Sequence, residues 1–231
     1  MAQNHHRPVP TCIHHLFEQQ VQKTPQAVAI TTDTEQITYQ QLNRQANRLA
    51  YQLSTLDIGP HQRVGICVEY SIDMILGLLG VLKTGSAYIP IDPHTSAIHT
   101  DHILRDSQIK VLLTQTHLED SLATHLPGKH LTLLCLDRDQ WIRMRSCPDL
   151  NIPVTADDLV NITYIPNSTN LPKKVKTSHR STYRQLQTKG FLDNQAQILP
   201  TLSLSSTSSL EKICWPLITG GQLLMPHRDK R

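Results

Sequence analysis

Aromatic residues are scarce. Two Phe, two Trp and six Tyr make up 4% of the 231 residues, too few for the stacking platforms that grip single-stranded nucleic acid. Charge of one sign is equally short. The 22 Lys and Arg oppose 19 Asp and Glu, leaving a net charge of +3, which argues against a nucleic-acid or membrane-surface partner. No run of 18 apolar residues occurs, so no membrane span is predicted. The opening residues, MAQNHHRPVP, lack the apolar stretch of a secretory signal. No C-x-x-C pair exists among Cys12, Cys67, Cys135, Cys147 and Cys214. That odd, widely spaced set predicts buried thiols in a reducing compartment, and hence a cytoplasmic location.

What is present is an alternating pattern, with 39% hydrophobic and 18% charged residues, enough to bury a core at this length. Ile13, Leu16, Phe17 and Val21 follow helical spacing until Pro25. Two short apolar runs, Ala27 to Ile30 and Ile37 to Tyr39, flank polar residues and predict a hairpin. Leu42, Ala46, Leu49, Ala50, Leu53 and Leu56 form one helical face, closed by Gly59-Pro60. Arg63 to Val68 reads as a buried strand. Ser71 is the expected N-cap of a helix that runs to Gly85, with Asp73 in its first turn. Strands are predicted at Ala87 to Ile91, Val111 to Leu113 and Leu131 to Leu136, with helices near 98–105 and 117–125. Such alternation implies parallel crossovers: an α/β fold with a doubly wound, mostly parallel sheet flanked by helices. The polar, proline-bearing stretch from Arg138 to Pro153 breaks the rhythm. A second series follows, with strands at 159–164, near Val175, at 198–202 and at 223–225, and helices at 178–191 and 210–218. The predicted organisation is a flexible lead-in at 1–10, a first α/β lobe at 11–137, a connection at 138–155 and the start of a second lobe at 156–231.

Several motifs then converge on one family. LFEQQVQKTP (Leu16 to Pro25), ITYQQLNRQANRLAYQL (Ile37 to Leu53), LKTGSAYIPIDP (Leu82 to Pro93), and Asp106-Ser107 followed by Val111 to Gln115 resemble the N-terminal part of nonribosomal peptide synthetase adenylation domains. These belong to the AMP-binding, acyl-adenylate-forming superfamily. The resemblance implies ATP-dependent activation of an amino acid to aminoacyl-AMP, with ATP and Mg2+ as cofactors. It also implies other synthetase subunits, or a small MbtH-like protein docking at Ala87, as partners.

The chemical motifs depart from the family pattern. Its phosphate loop reads Y-T-S-G-S-T-G-x-P-K-G; Tyr164 to Lys174 reads YIPNSTNLPKK. Ser168, Thr169 and Lys173 are kept as the implied phosphate contacts. Asn167, Asn170 and Lys174 replace glycines. Such a loop works by letting bare backbone amides approach phosphate. Side chains at 167 and 170 narrow that approach, and Pro166 removes one donor. Lys174 lacks glycine's freedom, and a left-handed angle there would cost about 1 kcal/mol. WPLITG (Trp215 to Gly220) resembles the next motif. Counting back from it puts Thr207 where the family has the aspartate that pairs with the substrate ammonium. The family's later adenine, magnesium and ribose motifs are not found before Arg231. The expectation is a truncated domain without turnover. The alternatives are a docking module for synthetase subunits or one half of a split enzyme.

Three further clusters have blander expectations. His94, His99, His102 and Asp101 do not match a zinc spacing. His14-His15 reads as an exposed piece of the first helix. Lys173, Lys174, Lys176, Arg180 and Arg184 read as a solvated basic face.

Overall fold

The computed structural model describes residues 12–124, 131–138, 147–165, 172–188, 197–198, 204–205 and 209–226. Helix α1 (Ile13–Lys23) buries Ile13, Phe17 and Val21 at four-residue spacing. Strands β1 (Val28–Thr32) and β2 (Gln36–Thr38) form the expected antiparallel hairpin. Helix α2 (Tyr39–Thr55) starts with a reciprocal cap. The Thr38 hydroxyl accepts from the Gln41 amide at 3.2 Å, and the Gln41 side chain accepts from the Thr38 amide at 2.8 Å, together worth about 1 kcal/mol.

The crossovers follow in order: β3 (Arg63–Ile66), α3 (Ile72–Lys83), β4 (Ala87–Pro90), α4 (Ala97–Ser107), β5 (Val111–Thr114), a 3-10 turn (Thr116–Leu118), α5 (Glu119–Ala123) and β6 (Thr132–Cys135). Ser71 occupies the N-cap position of α3 without capping it by its side chain. Its hydroxyl donates to the Glu69 carbonyl at 3.1 Å, while the Gln115 amide donates to the Ser71 hydroxyl and, at 2.8 Å, to Asp73. A long-range glutamine has thus drawn the hydroxyl away from its local role.

Strands β7 (Leu159–Ile165) and β8 (Lys173–Ser178), helix α6 (His179–Thr188), strand β9 (Gln197–Ile198), helix α7 (Ser209–Thr219) and strand β10 (Leu223–Met225) complete the order. The six-stranded sheet runs β6-β5-β3-β4-β7-β8, parallel except for the β7–β8 hairpin. The expected α/β class with a mostly parallel sheet is therefore observed.

The sheets do not divide where the lobes were expected to. β7 extends the first sheet beside β4, and β10 inserts between β1 and β9 in a second, four-stranded sheet, order β2-β1-β10-β9. The expected linker is strapped down as well. The Cys147 carbonyl accepts from Asn47, Asp149 accepts from Asn43, and Ile152 and Val154 lie against Gly85. Buried polar groups drive this. The Lys83 side chain is 1% exposed, and its ammonium needs partners at that depth. It finds them in Glu18 on α1 and in Asp149, at 2.9 Å. For Asp149, burial opposes ionisation, but Lys83, Asn43 and Asn47 outweigh it and hold the carboxyl below its usual range.

One core cluster joins Phe17, Leu42, Leu49 and Leu79 from the first half to Ile213, Leu217 and Leu223 from the second. A second lies on the side of α4, with Ile89, Ile103, Leu112 and Ile162. Each such side chain contributes about 1.5–3 kcal/mol by leaving water. Among the described residues, Ile98 is the large hydrophobic side chain left exposed, and no helix is long and apolar enough to cross a membrane. Cys12, Cys67, Cys135 and Cys214 are buried thiols without disulfides, as expected, whereas Cys147 is only partly buried.

His14 is not an exposed helix residue. It is 2% exposed, its ring 5.5 Å from that of His179 at the start of α6. The His179 Nδ1 accepts from the Ile13 amide at 3.1 Å, closing the first turn of α1.

Candidate phosphate-loop hairpin

The altered motif maps onto the β7–β8 hairpin. Tyr164 stands opposite Lys174 and Ile165 opposite Lys173, the pair at the end of the described register. Asn167, Ser168, Thr169 and Asn170 lie outside the described residues, as does Thr207. Lys173, the first residue of β8, is exposed.

Lys174 is differently placed from expectation. It lies in regular strand pairing and is not among the residues with positive φ, so the backbone cost expected for a non-glycine residue does not arise. Its charge is engaged instead. The Lys174 ammonium donates to Asp106 Oδ2 at 2.7 Å and sits 5.5 Å from the centre of the Tyr164 ring. The Tyr164 hydroxyl donates to the same Oδ2 at 2.5 Å. The Lys174 bond, then the Tyr164 bond, hold the Asp106 carboxyl below its usual range. Burial, reinforced by Asp106, pushes the Tyr164 phenol up. His102, one turn before Asp106 on α4, meets the Tyr164 ring edge-on at 6.5 Å.

The rest of the basic face is mixed. Arg180 makes a two-pronged pair with Asp157 at 2.7 and 2.9 Å, while Lys176 and Arg184 are exposed. Ser178, Arg180, Ser181, Arg184, Gln185 and Thr188 line an open groove along α6. Asp101 pairs with Arg105 along α4, and His99 bonds the Ser96 hydroxyl. Among the described residues no group of three His, Cys, Asp or Glu could hold a metal ion. Ala87 is 3% exposed in β4, its amide donating to the Gln62 carbonyl at 3.0 Å, so its side chain offers no surface to a partner. Glu211, in the first turn of α7 and 5% exposed, is a buried acid that sequence reasoning passed over. Its position in the first turn of a predicted helix was the available signal.

A profile of the family described as AMP-binding enzyme matches residues 17–231. The chain belongs to that family. Among curated proteins it is 36% identical over 229 residues to one of the linear gramicidin synthase proteins of Brevibacillus parabrevis, covering 96% of this chain and 3% of that protein. It is 34% identical over 223 residues to gramicidin S synthase 1 of Brevibacillus brevis, covering 94% of this chain and 20% of that protein. Among solved structures, the AMPPNP-bound nonribosomal peptide synthetase FmoA3 superposes with a TM-score of 0.84 at 25% identity, over 97% of this chain and 24% of that one. The N-terminal subdomain of Klebsiella oxytoca NpsA, in complex with 3-hydroxybenzoyl-AMSN, matches in fold with a TM-score of 0.79 at 24% identity, over 95% and 54%. The chain thus spans a small part of the length of these curated relatives and about half of that subdomain. Homology to the adenylation domains of nonribosomal peptide synthetases, with their N-terminal subdomain fold, accounts for the motif pattern from Leu16 onward.

Proposed function

We propose that the chain is an adenylation-type unit of the nonribosomal peptide synthetase class that has lost turnover of its own. The family reaction joins an amino acid to ATP, giving aminoacyl-AMP and pyrophosphate. ATP use is the reading favoured by the family match and by the AMPPNP-bound relative. Within this chain the nucleotide's phosphates would face Lys173, the exposed first residue of β8, with Ser168 and Thr169 as the contacts that the sequence motif implies. No Mg2+ ligand is assigned.

The observation that carries the loss of turnover is the Lys174–Asp106 pair. Where the family loop ends in a bare glycine, this chain has a cation already held by a carboxylate. The asparagines at 167 and 170, and Thr207 in place of an acid, point the same way. Phosphate capture depends on open amides and available positive charge: the glycines that leave amides open are replaced in the sequence, and of the two lysines that follow, Lys173 stays exposed while Lys174 is tied to Asp106.

Incubation of the purified chain with MgATP, labelled pyrophosphate and each of the twenty amino acids tests this. The expected result is no exchange above background, and exchange with any amino acid rejects the reading. The alternatives are docking of synthetase subunits or an MbtH-like protein, and completion by a second chain. Restoration of exchange on adding such a protein would favour them.

A further inference from the structure

We propose that Asp106 is a positioning residue for the hairpin, holding Lys174 against Tyr164 and keeping its ammonium from polyphosphate. Neutralising Asp106 then releases Lys174 to the anion. The inference rests on the phosphate-loop reading above.

Tyr164 and Lys174 form the last pair but one of the described β7–β8 register. Both stems are tied to a single carboxylate oxygen in the last turn of α4, by bonds of 2.5 and 2.7 Å. The Tyr164 ring adds an apolar wall, with Lys174 on one side and His102 against its edge. Successive strand residues point to opposite faces. Lys173 is therefore exposed while Lys174 is half-buried against α4. A phosphate oxygen reaching for the Lys174 ammonium must displace the carboxylate or lie beside it. Either choice places two anions within a few ångströms, where they repel. Neither half of this pair is explained by strand formation alone: a glycine at 174 would leave Tyr164 and Asp106 bonded to each other and the carboxylate still ionised.

The full chain and its Asp106→Asn, Lys174→Gly and doubly substituted variants provide the test, each first checked for a cooperative melt. Acetic anhydride labelling at limiting reagent, resolved by mass spectrometry, reports the tie directly. Lys174 is expected to label more slowly than Lys176 in the parent and to reach the Lys176 rate in Asp106→Asn. Equal rates in the parent overturn the proposal. Calorimetric titration with tripolyphosphate reports the release. Asp106→Asn is expected to bind about three- to tenfold more tightly than the parent, with the gain absent when Lys174 is also glycine. Equal binding by parent and Asp106→Asn, or a gain that survives in the double variant, overturns it. Binding by none of the four proteins, with the labelling contrast intact, overturns the release and the phosphate-loop reading together while leaving the Asp106–Lys174 tie in place.

Discussion

Two buried histidines make this fold sensitive to mild acid. Burial, then the nearby His15, lowers His179 to about 4, against a partial upward pull from Asp158. Burial lowers His14 well below its ordinary value, helped by His15, His179 and Lys83. Both groups are therefore neutral in the folded chain. In the unfolded chain they take up protons near pH 6.5. The unfolded state thus binds more protons between roughly pH 6.5 and 4, and stability falls as pH drops through that window. Each histidine contributes a slope of about 1.4 kcal/mol per pH unit. Urea denaturation at several pH values should show the decline. His179→Asn keeps an acceptor for the Ile13 amide and removes one proton site. It should roughly halve the slope, and an unchanged slope would assign the acid sensitivity elsewhere. None of this is visible in the chain order. His14 sits one residue past an apolar position, where a solvated histidine is the ordinary expectation. Its neighbour His179 is brought up by α6, from the far end of the sequence. The Lys174–Asp106 tie is hidden for the same reason, its partners being 68 residues apart.

At the scale of elements, periodicity carries most of the information. Helix α2 is legible because its apolar positions recur on one face and Thr38 and Gln41 form a cap. Helix α3 is legible in extent, yet the role of Ser71 is not, because Gln115 competes for it from another strand. The packing of α2 on α3 turns on Gly80. A Cβ there would lie 2.6, 2.7 and 3.0 Å from three atoms of the Leu49 side chain. Leu49 is fully buried, so it cannot swing into solvent, and the helices must separate. Gly80→Ala should therefore destabilise by about 1–3 kcal/mol, even though alanine is the better helix former by about 1 kcal/mol. Gly59→Ala, with nothing within 4 Å of the new atom, should change stability by less than about 0.5 kcal/mol. Thermal melts of the two variants check the pair. Equal effects would mean that the α2–α3 contact is loose.

For the whole molecule, linear order and spatial order disagree. The composition break after residue 137 suggests the end of a first lobe, and β3 to β6 are consecutive crossovers in one sheet. What a sequence pattern does not reveal is which later strand returns to an earlier one. Here β7 covers the outer edge of β4, and β10 pairs with β1 through Ile30–Leu223 and Thr32–Met225. The Tyr39 hydroxyl, at the start of α2, donates to the Pro216 and Gly221 carbonyls at 3.0 and 2.7 Å. Phe17 and Leu42 share a core with Ile213 and Leu217. A fragment ending at residue 138 would lose those partners. It would expose the face of α1 that packs on α7, leave the Tyr39 hydroxyl without its two acceptors, and turn β1 and β4 into bare edges. Expressed alone, residues 12–138 should be insoluble or melt without a cooperative transition, whereas the full chain should melt in one step. A soluble fragment with a sharp transition, matched by a two-step melt of the full chain, would restore the two-lobe division and remove the interlocked core that positions the β7–β8 hairpin.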